Sequence, residues 1–115
     1  MNVVVIKGVL SRAPELRELP SGDRLAQFEV TIRDPDRPTA SVPVALLDPP
    51  ERTLALDRGA EVVVTGEVRR RFFRTAAGTG SRTEVVAAQV IPATQRKRAR
   101  TALDAAVAAL VTGDG

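Results

Sequence analysis

The chain has 115 residues, 17 lysines and arginines against 14 acids, a net charge of +3, and neither cysteine nor histidine. Disulfides, thiolate metal sites, cysteine nucleophiles and imidazole acid–base chemistry are thereby excluded, and scattered carboxylates with only Lys7 and Lys97 as lysines make no other catalytic cluster, so neither an enzyme nor a cofactor is expected. The length suits one domain, and with no signal-peptide pattern and no apolar run near the ~20 residues that span a bilayer, a soluble cytoplasmic protein without membrane contact is expected.

Residues 2–10 form a β-branched run in which Gly8 marks a bulge or bend. Ser11 to Pro14 read as a turn, Glu15 to Leu19 as the strand continued after a sharp bend, and Pro20-Ser21-Gly22-Asp23 as a hairpin turn. Arg24 to Arg33 alternate with period two, which sends Ala26, Phe28, Val30 and Ile32 to a core. After a polar loop, Asp34 to Pro38, the run Ser41 to Leu47 forms a strand with Val42, Val44 and Leu46 inward. Pro43 cannot donate to a ladder and so predicts an edge or a bulge there.

Asp48 to Gly59 read as a short helix capped by Asp48, with Pro49 and Pro50 in its first turn and Gly59 at its end. A strand from Glu61 then points Val62, Val64, Gly66 and Val68 inward and Glu67, Arg69, Arg71 and Phe73 outward. Ala76 to Ser81 are expected to be a flexible hairpin tip, and Arg82 to Ile91 a final strand with Val86, Ala88 and Val90 inward. Beyond Pro92 and a basic linker, Gln95 to Arg100, the stretch Thr101 to Val111 carries Leu103, Ala106, Val107, Leu110 and Val111 at helical spacing, with Gly113 as the stop.

Three strands, a short helix and two strands joined by a long hairpin predict an all-β fold with a short helix and a C-terminal helix. The architecture expected is a five-stranded oligonucleotide-binding Greek-key barrel over residues 1–92, with the basic linker and amphipathic helix in residues 93–115. Such barrels bind single strands through an outer face and its flanking loops.

The charge is unevenly placed. Arg69 to Arg100 hold nine basic residues and one acid, Glu84, a net +8 that leaves −5 for the rest of the chain. Two of the three aromatic residues, Phe72 and Phe73, lie within this block, and rings among arginines suit stacked bases and phosphates. Edge strands also carry arginine merely to stay unpaired and soluble, and both readings stand on this stretch alone. The candidate nucleic-acid-binding residues are Phe73, Arg71, Arg69, Phe72, Arg74, Arg82, Lys7 and Arg33. Parity places Lys7, Arg33, Arg69, Arg71 and Phe73 on outward faces where they share one groove if the barrel closes.

The motifs resemble the bacterial single-stranded DNA-binding protein family over residues 2 to about 92. The resemblance is carried by Gly8-Val9-Leu10, Pro14-Glu15-Leu16-Arg17, Pro20-Ser21-Gly22, Ala26-Gln27-Phe28-Glu29-Val30-Thr31, Leu56-Asp57-Arg58-Gly59-Ala60-Glu61-Val62-Val63-Val64-Thr65-Gly66 and Thr83-Glu84-Val85-Val86-Ala87, in that order. It implies a barrel that assembles as a homotetramer or homodimer and coats single-stranded DNA without base specificity in replication, repair or recombination, in a nucleoid-associated cytoplasmic setting. Phe73 stands where the family usually carries a tryptophan or tyrosine.

Three departures qualify this. There is no tryptophan or tyrosine, and the strand near Ala40 to Leu47, where the family commonly has aromatics, offers Ser41, Pro43 and Ala45 outward. At about 1–3 kcal/mol per stacked base, binding should be weaker and mainly electrostatic. The ending Val111-Thr112-Gly113-Asp114-Gly115 lacks the family's acidic, Phe-tipped tail, so recruitment of repair enzymes by such a tail is not expected. The C-terminal helix is outside the family pattern. An alternative reading is an assembly module with weak or lost DNA binding, resembling primosomal replication protein N; RNA binding is a third.

Overall fold

The computed structural model describes residues 1–112 and contains six strands and two helices. They are β1 (Val4–Leu10), β2 (Glu15–Glu18), β3 (Arg24–Ile32), β4 (Ala40–Leu47), α1 (Glu51–Leu54), β5 (Glu61–Thr75), β6 (Gly78–Pro92) and α2 (Arg96–Thr112). The sheet runs β1-β5-β6-β4-β3-β2, and a further β1–β3 pairing closes it into a five-stranded barrel, the oligonucleotide-binding architecture expected from the sequence.

Two strands share one side of β3. β1 meets its end through Val9 and Leu10, and β2 meets its start through Glu15 to Glu18. They act as one long strand broken at Ser11 to Pro14. The bend is prepared at Gly8, where a Cβ would lie 2.6 Å from the carbonyl oxygen of Thr31, a backbone contact that cannot move aside. β1 therefore leaves β5 and crosses to β3.

The interior is filled by Leu10, Phe28, Val30, Val44, Val62, Val64, Val85 and Val90. Burying aliphatic side chains of this size contributes about 1.5–3 kcal/mol each. The alternation in β3 and β4 buries Ala26, Phe28, Val30, Val44 and Leu46 as expected, but Ile32 and Val42 are only half-buried, and Ala45, expected to face outward, is buried. Pro43 lies just before the parallel β4–β6 ladder, which pairs Val44 with Val85 and Ala45 with Val86, so it occupies the stretch of β4 that has β3 alone as neighbour.

Several local expectations are corrected. Asp48 does not cap α1: it adopts φ 52°, Pro50 is the N-cap, and no side chain bonds the helix start. Proline disfavours the helical region for the residue before it, so Pro49 and Pro50 delay the helix to Glu51, too late for Asp48 to cap. Gly59, at φ 91°, stands beyond the helix end and returns its N–H to the Leu10 carbonyl at 2.8 Å.

In β6 the buried apolar residues are Val85, Ala87, Val90 and Ile91, so Val90 is inward as expected but Val86 and Ala88 are not. Thr65 pairs with Gln89 but Gly66 with Ala87, so Ala88 is an extra residue, and it and Gln89 are both exposed. A bulge of this kind breaks a strict period of two. The expected flexible tip, Ala76 to Ser81, is mostly ladder: pairing continues to Thr75 and Gly78 around Ala76 and Ala77.

Finally, α2 begins at Arg96, so the basic cluster is its first turns rather than a linker. Its buried residues are Ala102 and Ala106, while Val107, Leu110 and Val111 are exposed. Small alanines allow close approach to the sheet, and the larger side chains point elsewhere. Gly113, expected to stop the helix, lies outside the described residues.

Candidate nucleic-acid interface

β5 and β6 pair without a further break from Gly66 and Ala87 to the turn, well beyond the reach of their neighbours. The β1–β5 ladder ends at Val4 and Gly66, and the β4–β6 ladder involves only Val85 and Val86 of β6. From Arg69 to Thr75 the hairpin is therefore a two-stranded arm, about 23 Å long at the usual rise per residue.

Asn2 fixes its root. The Asn2 side-chain amide donates to the Val68 carbonyl at 2.7 Å, and the Val68 N–H donates back to Asn2 Oδ1 at 2.9 Å. One side chain thus prolongs the β1–β5 ladder past its last backbone pair.

Alternation and register divide the arm into two faces. One carries Arg69, Arg71 and Phe73 from β5 with Glu84, Arg82 and Gly80 opposite them. The other carries Arg70, Phe72 and Arg74, with Thr83, Ser81 and Thr79 opposite. All of these arginines are exposed.

The faces differ in free charge. On the first, Arg69 Nε donates to Glu67 Oε1 at 2.6 Å, and Arg71 Nε lies 3.4 Å from Oε1 of Glu84, a carboxylate only 7% exposed. On the second, neither Arg70 nor Arg74 has an ion-pair partner among the described residues. Pairing with a carboxylate reduces what an arginine offers to a phosphate, so the second face is the stronger cation site.

The rings differ too. Phe72 is 66% exposed, whereas Phe73 is 42% exposed and lies across Gly80, where a Cβ would meet its Cε2 at 2.7 Å. Phe73 is in part a cross-strand packing residue, and Phe72 is the freer stacking platform.

The other candidates are dispersed. Arg82 is on the Phe73 face, opposite Arg71. Lys7, on β1 opposite Val63, stands 3.8 Å from Glu61. Thr65 and Glu67 lie between Lys7 and Arg69 along β5 and line a groove under Ala102, Ala105, Ala106 and Ala109 of α2. The helix therefore interrupts the outward path from Lys7 to the arm. Arg33 is exposed just past the end of β3.

The basic block is likewise split. Arg96, Lys97, Arg98 and Arg100 start α2 at the far end of β6, about 30 Å from Arg82 along that strand. The sequence reasoning missed Arg70, Asn2 and the buried acid Glu84. Only Arg70 was legible in advance, since the same alternation that selected Arg69 and Arg71 places it beside Phe72.

Over residues 1–92 the chain matches the model of the Single-strand binding protein family. No curated protein matches it.

Proposed function

The chain belongs to the single-strand binding protein family, matched over residues 1–92, and on that premise we propose that it binds single-stranded DNA without base preference through its β5–β6 arm, in replication, repair or recombination. Membership supports single-stranded DNA binding in general. The observation that carries the reading to the arm is Phe72, an exposed ring set between two arginines that have no carboxylate partner among the described residues. Aromatic stacking serves every base, and unpaired guanidinium groups take the place of phosphate counterions, so the interaction is sequence-tolerant and salt-sensitive. Arg69, Arg71, Arg82 and Phe73 supply the second face, with Lys7 and Arg33 as outlying phosphate contacts. The function is one of binding, without a catalytic step.

The family typically forms oligomers; a homodimer or homotetramer belongs to this proposal. An assembly module is the second reading, favoured by the lack of outward aromatics on β4 and by Val107 and Leu110, which α2 leaves exposed. Fluorescence anisotropy with a labelled oligothymidine at several salt concentrations separates the two. Affinity that falls steeply with salt and resists duplex competitor supports DNA binding. No measurable association at low salt turns the choice to the assembly module.

A further inference from the structure

The arm presents a ring and arginines on both faces: Arg70, Phe72 and Arg74 on one, Arg69, Arg71, Phe73 and Arg82 on the other. A strand laid along a single face uses half of these groups. Solubility accounts for arginines on an exposed ribbon, but not for an open phenylalanine midway along it. From this arrangement we infer that one arm holds two segments of single-stranded nucleic acid at once, one on each face, and so brings separate strands or distant parts of one strand together. The inference rests on the single-strand reading above and extends it from coating to bridging.

Electrostatics permits the double occupancy. Ligands on opposite sides of a sheet stand about 10 Å apart or more. The screening length at physiological ionic strength is about 8 Å. Five arginines of the ribbon, Arg69, Arg70, Arg71, Arg74 and Arg82, lie between the two phosphate chains. Each segment is thus screened from the other by solvent ions and by the protein. The Phe72 face, with free arginines and a row of hydroxyls, takes the first segment. The Phe73 face, where Glu67 and Glu84 offset part of the charge, takes the second more weakly.

The count of strands per protomer tests this without reference to the oligomeric state. Full-length protein is titrated with oligothymidines of about six to eight nucleotides, a length within the range that one barrel covers, and complexes are counted by native mass spectrometry. Donor- and acceptor-labelled oligomers report bridging in parallel. Two oligomers per protomer are expected for the wild type. Arg70→Ala with Phe72→Ala, and separately Arg69→Ala with Arg82→Ala, are each expected to leave one oligomer per protomer and to lose energy transfer within a protomer. Both variants change exposed groups, and circular dichroism checks that each is folded.

Saturation at one oligomer per protomer, with both variants merely weakening that single event, overturns the inference and leaves the single-strand reading intact. Absence of any bound oligomer at low salt overturns both.

Discussion

The ring of Phe73 covers the backbone of Gly80 on the facing strand so closely that a single added methyl at Gly80 would stand 2.7 Å from it. Neighbours in sequence, Phe72 and Phe73 therefore have different duties. A cross-strand contact of this type contributes about 0.2–1 kcal/mol. Gly80→Ala is expected to expel the ring and lower the thermal midpoint of unfolding. An unchanged midpoint together with unchanged near-ultraviolet dichroism would contradict this placement.

Phe72→Ala should behave in the opposite way. The side chain is exposed, so stability should stay within about 0.5 kcal/mol of wild type. Affinity for oligothymidine should fall by about 1–3 kcal/mol, the worth of one stacked base. If anisotropy titrations of variant and wild type superimpose, Phe72 carries no base.

The free arginines should dominate the salt response. For single strands each neutralised phosphate contributes about −0.7 to the slope of log affinity against log salt. Arg70→Ala with Arg74→Ala is expected to flatten that slope by about 1.4. Arg69→Ala with Arg71→Ala should flatten it less, because Glu67 and Glu84 already occupy those guanidinium groups. Titrations at four or more salt concentrations distinguish the pairs, and equal slopes for both would remove the distinction between the faces.

Arg71 has a structural share that complicates any simple charge deletion. Its loss leaves the carboxylate of Glu84, 7% exposed, without its cation. Arg71 is itself partly solvated, so the expected cost is about 1–3 kcal/mol, between the values for exposed and buried pairs. Adding Glu84→Gln to Arg71→Ala should restore most of that stability in denaturant unfolding. Failure of the double change to recover any of it would show that Glu84 is satisfied by other groups.

Gly66 is the steric hinge of the arm root. A Cβ there would fall 2.2 Å from the carbonyl oxygen of Val86, with the Ala87 Cα at 2.8 Å, so backbone rather than side chain would have to yield. Gly66→Ala should destabilise the protein by about 2–3 kcal/mol, in the range of overpacked interiors. Its unfolding midpoint is the measurement, and a wild-type value would mean that the bulge at Ala88 absorbs the methyl.

The barrel was legible because its strands alternate cleanly. Ala26, Phe28 and Val30 in β3 and Val62 and Val64 in β5 announce one buried face each, and turn residues separate the runs. Legibility failed where one residue changed the count. Ala88 bulges out of β6 and displaces the expected inward set, a departure with no composition signal because alanine suits either face. The proline pair after Asp48 delayed a helix whose cap looked sound.

In the candidate site, parity correctly divided Arg69, Arg71 and Phe73 from Arg70, Phe72 and Arg74. The carboxylates that neutralise one side and not the other depend on side-chain reach across strands. Helix α2 was recognisable, but only part of the face it presents to the barrel: of the stripe Leu103, Ala106, Val107, Leu110 and Val111, Ala106 is buried, and the residue that joins it against the sheet is Ala102, while Val107, Leu110 and Val111 are exposed. Apolarity measured the wrong quantity there, since close approach favours the smaller side chain.

The barrel's closure between β4 and β6 consists of the pairs Val44 with Val85 and Ala45 with Val86. Those same β6 residues face Val68 and Glu67 at the foot of the hairpin. A pull on the tip is thus transmitted along β6 directly to one of the two shortest seams of the barrel, the other being β1 with β3. The projecting lever and a two-pair hoop of the cask share a stave, and whatever tugs on one strains the other.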